Sequence, residues 1–294
     1  LYKRTLSECA LILLLAKNPI KIDGKTTHEI LFLKEIDEKE RLWLGGSLSP
    51  ETASEEIGIA QAVSRQRFSP LLFDTLLAKD SSQTVFTYHP FTAYYFGKPT
   101  TQTPTEFEQL LAEKGVQVAA SNDFLAVLRA AKQPIEIDMM LRAIDIAMLG
   151  HERAIKICRP GKYEYQLAAH AEFVFKKEGC LFSAYPPIVG AGKNALILHY
   201  QKLTKKIEDG ELVLMDMSGE YEGYAADITR TIPANGKFSQ PQLEIYRIVL
   251  AARHAALKAC RAGNDFGAPH RRACEVLAAG LMQLGIIEKP EEYK

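Results

Sequence analysis

The sequence lacks a charge imbalance, paired cysteines and any long apolar run. Its 36 Lys and Arg residues balance its 36 Asp and Glu residues, which argues against a basic surface for nucleic acid. Its five cysteines are odd in number and scattered, and none stands in a C-x-x-C spacing. This usage argues against a thiolate zinc site and indicates a reducing compartment, so we expect a cytoplasmic protein.

The longest apolar run, Cys9 to Ala16, is too short to cross a bilayer. It predicts a buried strand instead, and we expect no membrane partner. No small-residue cleavage site follows the run, so it does not resemble a signal peptide. The sequence begins at Leu1 without a methionine, and we expect that residues precede it.

The remaining composition, 47% hydrophobic and 24% charged over 294 residues, is typical of a globular protein with one large or two medium domains. In the first part of the chain, short strand-like runs alternate with helix signals, which predicts an α/β domain. A basic, proline-containing connector then runs from Leu128 to Asp138. We therefore predict an N-terminal domain at 1–128 and a second domain at 129–294.

In the second domain, glycines and a Pro-Gly pair end four helical patterns. These predicted helices span about 137–158, 163–178, 240–261 and 269–284. The segment from Tyr185 to Tyr200 predicts a loop followed by a strand that ends at His199. The two pairs of helices flank a stretch with strand character.

That stretch, from Glu211 to Pro233, contains the strongest signal for chemistry. Two apolar runs flank a glycine-bracketed polar centre, which predicts an antiparallel hairpin. With the turn centred between Tyr221 and Glu222, Asp216 falls directly opposite Asp227, and both carboxylates project from one face. A bulge that shifts the register by one residue would send one of them to the other face.

Two carboxylates at this spacing repel each other. Directly opposed Cβ atoms lie about 5 Å apart, and at an effective dielectric constant of about 20 the repulsion is about 3 kcal/mol. A shared proton or exposure to solvent would offset it. A divalent cation bound by both carboxylates would also offset it and would supply chemistry. Two interpretations stay open here, a metal site and an exposed polar hairpin tip.

The histidines form no metal-binding pair by spacing, since none stands in an H-x-x-x-H pattern. A lone histidine in the position of His199 is more often a structural hydrogen-bonding group, although its segment can also fold back over the two aspartates. His151, His170 and His254 lie on predicted helices, where we expect surface positions.

The run LVLMDMSGEYEGYAADITRTIPANGKFSQPQLEIY resembles the metal-binding segment of aminopeptidase P (Xaa-Pro aminopeptidase), in the pita-bread metallopeptidase family. The segments CRPGKYEY and IVGAGKNALILHY also resemble that family and occur in the expected order. The resemblance implies an α/β (α+β) fold. A creatinase-like N-terminal α/β domain would precede a pita-bread catalytic domain with an antiparallel sheet and flanking helices.

Carried over residue by residue, the resemblance implies that Asp216 and Asp227 are the first two ligands of a centre of two divalent metal ions, most commonly Mn²⁺. His199 matches the family histidine that lies over the site, contacts the substrate and assists proton movement. A metal-activated hydroxide would cleave the bond before proline, so the implied partner is a peptide with proline at its second position. Family members are often oligomers, which makes a homo-oligomer possible here.

The chain departs from the family pattern at its end. The family completes its site with a histidine in an H-G-x-G-H-like segment and two glutamates, which we expect beyond Lys294. We therefore expect both domains to be incomplete in this chain and the fragment alone to be inactive. Prolidase, which cuts Xaa-Pro dipeptides, is the alternative enzyme, and a non-catalytic binding module is the alternative from another class. Creatinase, the metal-free relative, is disfavoured because both aspartates are present.

Overall fold

A computed structural model describes residues 11–35, 49–79, 83–87, 94–95, 98–99 and 106–289. The chain divides into two units, Leu1–Ala131 and Lys132–Lys294. Hydrophobic core clusters form within each unit. Among the described residues, no helix is both long enough and apolar enough to cross a membrane.

The first unit is a mixture of short strands and helices. Its strands are β1 (Leu11–Ile22), β2 (Lys25–Leu33), β3 (Ala62–Ser64), β4 (Thr84–Thr87), β5 (Tyr94–Tyr95), β6 (Lys98–Pro99) and β7 (Gln117–Ala120). Its helices are α1 (Pro50–Ile57), α2 (Leu77–Lys79), α3 (Glu106–Glu113) and α4 (Asn122–Ala130), with a 3-10 turn at Arg65–Arg67 and a π-helical turn at Pro70–Leu76. β1 pairs with β2 antiparallel, β3 joins β2 in parallel, β4 pairs with β7 in parallel, and β5 pairs with β6 antiparallel. This arrangement confirms the predicted α/β character.

β1 lies at the edge of its sheet among the described strands, and the prediction of a buried strand in this run is wrong for the residues that are described. Leu11, Leu13 and Leu15 are 54%, 54% and 66% exposed. Alternate side chains of a strand point to opposite faces, and only one face of β1 meets the core here. After a register shift between Leu15 and Ile20, Ile20 and Ile22 become buried.

The second unit contains the four predicted helices and two small antiparallel sheets. Its helices are α5 (Pro134–Ile157), α6 (Glu164–Lys177), α7 (Gln240–Ala259) and α8 (Ala268–Gln283), with a 3-10 helix at Gly192–Leu196. Its strands are β8 (Phe182–Ser183), β9 (Ile188–Ala191), β10 (Leu212–Asp216), β11 (Gly219–Tyr221), β12 (Tyr224–Ala225) and β13 (Thr229–Pro233). The strand orders are β9-β10-β13 and β8-β11-β12.

The core of the second unit involves α5, α6 and the inner side chains of β10. Phe175 of α6 is 1% exposed, and Met215 of β10 is fully buried. Gly150 lies on the inner side of α5, where a Cβ atom would be 2.3 Å from Phe175 Cε1. The close approach of α5 and α6 therefore requires glycine at this position.

We expect Gly150→Ala to lower the free energy of unfolding, although alanine is the better helix former. The added methyl group must displace the buried Phe175 ring, an overpacking cost of about 1–3 kcal/mol. Urea unfolding of Gly150→Ala, Phe175→Leu and the double variant measures the effect. The two losses should be less than additive because leucine vacates the space, and strict additivity would contradict the steric explanation.

Candidate metal centre

The predicted hairpin is present, but its register differs from the prediction. β10 pairs with β13 so that Asp216 lies opposite Thr229. β11 pairs with β12 around the two-residue turn Glu222-Gly223. Both turn residues have positive φ, 50° and 81°, as a type I′ turn requires. The turn is therefore displaced by one residue toward the glycine that permits this conformation.

Asp216 and Asp227 are diagonal neighbours in this register, so the predicted direct pairing is wrong. The two paired segments share one register, which places Asp227 across from Ser218. Residues two apart on a strand point to the same face, and the diagonal arrangement keeps both carboxylates on one face of the hairpin. The neighbouring Met215 and Met217 are fully buried on the other face.

Between its two paired segments, the hairpin ladder is interrupted. β10 ends at Asp216 and β11 begins at Gly219. The Met217 N–H donates to the Ile228 carbonyl at 3.4 Å. The Oγ atom of the fully buried Ser218 accepts the Ala226 N–H at 3.2 Å. A side chain thus replaces a backbone partner at the point where the aspartates lie.

The Tyr185 hydroxyl is hydrogen-bonded to one of the two carboxylates and is influenced by the charge of the other. It donates to Asp216 Oδ1 at 2.5 Å. Burial raises the pKa of Tyr185 most, and it is raised further by the hydrogen bond and charge of Asp216 and by the charge of Asp227. A hydrogen bond from the Ile228 N–H lowers it. The charges of both aspartates therefore raise the pKa of the Tyr185 phenol.

Strand pairing brings Tyr185 to this position. Ile188 of β9 lies opposite Asp216 of β10, and Tyr185 precedes it by only three residues. The intervening Pro186 restricts Tyr185 to extended conformations. Tyr185 was not among the site residues predicted from the sequence, and the proline pair after it was the only local signal.

Asp216 and Asp227 offer carboxylate oxygens, and Mn²⁺, Mg²⁺ and Ca²⁺ prefer oxygen ligands. The two side chains therefore suit a divalent cation. In the described part of the chain, no group of three or more His, Cys, Asp or Glu side chains is arranged to hold a metal ion. Asp216 and Asp227 thus supply only part of a coordination shell.

His199 lies in an exposed turn, so the prediction that it ends an apolar strand is wrong. The strand of this segment is β9, and the 3-10 helix Gly192–Leu196 follows it. Leu196 and Leu198 are 84% and 89% exposed, as expected for a loop. Within the described ranges, no hydrogen bond or ion pair joins His199 to Asp216 or Asp227.

Glu164, at the start of α6, holds the loop that carries His199. This fully buried side chain accepts hydrogen bonds on both oxygens. Oε1 binds the Ala191 N–H at 2.8 Å and Asn194 Nδ2 at 2.9 Å. Oε2 binds the Tyr200 hydroxyl at 2.8 Å and the Lys205 N–H at 3.0 Å. Because these partners precede and follow His199, the chain curls around Glu164 and cannot extend as a strand.

The pKa of Tyr200 is raised by burial first, and then by its hydrogen bond to Glu164 and by the charge of that carboxylate. Glu164 was not among the residues predicted from the sequence either. An acidic residue in the first turn of a helix is common because it interacts favourably with the helix dipole. Its sequence position therefore gave no sign of a buried role.

We expect Glu164→Ala to be among the most destabilising substitutions in the second unit. It would leave four buried or part-buried donors without their acceptor, and each buried donor without a partner typically costs about 1–3 kcal/mol. Urea unfolding checks this. Glu208→Ala, whose side chain is 75% exposed, is the matched control and should change stability by less than about 0.5 kcal/mol. A similar, small loss in both variants would contradict the role of Glu164.

We expect the stability of the protein to depend on pH through Tyr185. The folded state raises the pKa of this phenol, so its contribution is complete below the unfolded pKa of about 10. That contribution is lost as pH rises above this value, because only the unfolded state then ionises. Urea unfolding from pH 7 to pH 11 should show the advantage of wild type over Tyr185→Phe falling with pH. Parallel curves would contradict a shielded, protonated phenol.

Sequence comparison finds a family match in each unit. Residues 4–86 match the family model for the aminopeptidase P N-terminal domain. Residues 138–291, which include the whole hairpin, match the model for metallopeptidase family M24. The second match covers more than half of the 294 residues.

Individual relatives agree with these matches. The Xaa-Pro aminopeptidase of Escherichia coli K12 is 33% identical over 273 residues, which cover 92% of this chain and 61% of that protein. The structure of Pseudomonas aeruginosa aminopeptidase PepP superposes with a TM-score of 0.76 at 32% identity, covering 90% of this chain and 60% of that one. Zinc-substituted E. coli aminopeptidase P in complex with product gives a TM-score of 0.77 at 30% identity, covering 93% and 62%.

The chain therefore spans about three-fifths of the length of these proteins. The matches confirm the predicted fold class, in which an N-terminal α/β domain precedes a pita-bread domain with antiparallel strands and flanking helices. They also confirm the resemblance that was first seen in the hairpin segment. This chain belongs to metallopeptidase family M24.

Proposed function

We propose that the complete protein is a metal-dependent aminopeptidase that releases an N-terminal residue preceding proline. One observation carries the proposal. Asp216 and Asp227 lie on one hairpin inside the M24 match, and both carboxylates act on the Tyr185 hydroxyl. The name of the E. coli relative, Xaa-Pro aminopeptidase, supports the choice of reaction. The implied substrate is a peptide with proline at its second position.

For the metal we propose Mn²⁺, held in part by Asp216 and Asp227. Bound divalent ions supply an activated water and stabilise the charge that develops on the scissile carbonyl. A centre of two ions needs more ligands than these two carboxylates, and the described residues offer no third one beside them. The zinc-substituted relative supports a divalent metal and leaves manganese as our proposal.

In this proposal, Tyr185, Glu164 and His199 each have a different role beside the two aspartates. Tyr185 donates to one oxygen of Asp216 and so restrains the orientation of that carboxylate. Glu164 fixes both ends of the loop that carries His199. We assign His199 to substrate contact and proton movement, because an imidazole can both donate and accept a proton. A cytoplasmic location and a homo-oligomeric state remain predictions from the sequence.

Hydrolysis by the protein expressed from its complete reading frame tests the proposal. We expect Mn²⁺-dependent release of the first residue from an Xaa-Pro-Xaa tripeptide. Asp216→Asn and Asp227→Asn should each lower kcat/KM by more than about 100-fold, the upper range for losing an outer-shell partner of a metal. Asp209→Asn is the matched control, because this exposed residue binds Asn235 at 2.8 Å and should retain activity.

The same assay separates the alternatives. Cleavage of Xaa-Pro dipeptides but not of tripeptides would identify a prolidase-type enzyme. Calorimetry of Mn²⁺ binding complements the assay, and both Asp substitutions should weaken binding. Absence of both hydrolysis and Mn²⁺ binding would contradict the proposal and favour a non-catalytic binding module.

A further inference from the structure

His151 is buried, so the prediction of a surface position is wrong. Its side chain is 3% exposed on the inner face of α5. The residues around it on that face, Ala147, Gly150 and Ala154, are small and buried. Small neighbours let the helix backbone approach the hairpin closely. A polar side chain buried in such surroundings is costly unless it is hydrogen-bonded, so its partners indicate its role.

The imidazole contacts the interrupted part of the hairpin. His151 Nε2 lies 3.1 Å from the Met217 carbonyl oxygen. A carbonyl only accepts hydrogen bonds, so Nε2 carries the proton. The Met217 N–H donates to the Ile228 carbonyl. The backbone of Met217 is therefore held on both its N–H and its carbonyl side, and a side chain from α5 supplies one of the two bonds.

The other ring nitrogen indicates that His151 is neutral. Nδ1 is buried and has no hydrogen-bond partner among the described residues, so a second proton there would be a buried donor without an acceptor. Burial lowers the pKa of His151 most, and hydrogen bonds to the carbonyls of Met217 and Ile228 oppose this effect. The charge of Arg230 lowers the pKa further, and the charge of Asp216 raises it.

We propose that His151 is a positioning residue of the candidate metal centre, whose Nε2–H holds the Met217–Ile228 pair and so fixes the spacing of Asp216 and Asp227. Met217 directly follows Asp216, and Ile228 directly follows Asp227. Movement of the backbone at either residue therefore displaces a carboxylate. In an uninterrupted hairpin the ladder bonds alone would prevent such movement. The inference rests on the proposed function, because it links this spacing to metal binding.

Three variants separate positioning from stability. His151→Phe keeps a ring in the space and removes the donor, whereas His151→Gln keeps a side-chain N–H. Leu167→Ala removes a fully buried side chain of α6 from the core cluster that also contains Met217, and controls for lost stability alone. In calorimetry on the protein from its complete reading frame, His151→Phe should weaken Mn²⁺ binding about 10- to 100-fold. His151→Gln should bind close to wild type, and Leu167→Ala should bind as wild type does.

Hydrogen exchange on the metal-free protein gives a second readout. The amides of Met217 and Ile228 should exchange faster in His151→Phe than in wild type and His151→Gln, relative to the amide of Val213 farther along β10. If His151→Phe does not fold, the imidazole ¹⁵N shifts of wild type decide the tautomer, and a proton on Nδ1 instead of Nε2 would overturn the proposal.

The outcomes distinguish this inference from the proposed function. Unchanged Mn²⁺ affinity and unchanged amide exchange in His151→Phe would overturn the positioning role while leaving the peptidase intact. Loss of affinity in His151→Phe with recovery in His151→Gln would support it. If wild type binds no Mn²⁺, the proposed function fails, and amide exchange alone then decides whether His151 holds the hairpin.

Discussion

Between Asp216 and Gly219, the main hairpin keeps the backbone bond from the Met217 N–H to the Ile228 carbonyl, and side chains supply further bonds to the backbone. Ser218 Oγ accepts the Ala226 N–H, and His151 Nε2 donates to the Met217 carbonyl. Buried backbone groups need partners, so the interruption persists only with these side chains in place. The two aspartates lie at this point, where Ser218 of the hairpin and His151 of α5 both bond to the backbone.

The charges around Asp216 and Asp227 are compatible with the proposed metal site. Among the ion pairs of the described residues, none involves Asp216 or Asp227. Tyr185 donates to Asp216, and Asp227 is exposed to solvent. A cation bound by both carboxylates would neutralise their charge, and the M24 match supports the same proposal.

Glu164 has a structural role, in contrast to the metal-binding role proposed for the two aspartates. Its two oxygens receive four hydrogen bonds and leave no capacity for a ligand. A buried carboxylate whose hydrogen bonds are all made holds the contacted chain segments in place and favours a single conformation. The second unit thus contains two kinds of carboxylate: Glu164 anchors the loop that carries His199, and the two aspartates lie on the hairpin at the proposed metal site.

The sequence by itself determined the helices of the second unit and the identity of the two acidic residues, because helix periods, glycine stops and residue types are local properties. It predicted a hairpin but not its register, because Gly219 and Gly223 bracket several possible turns. The structure places the turn at Glu222 and Gly223, which both have positive φ. The tertiary structure alone decided the roles of Tyr185 and His151. Their partners lie 31 and 66 residues away along the chain, and no local pattern encodes a contact that forms only when separate elements pack together.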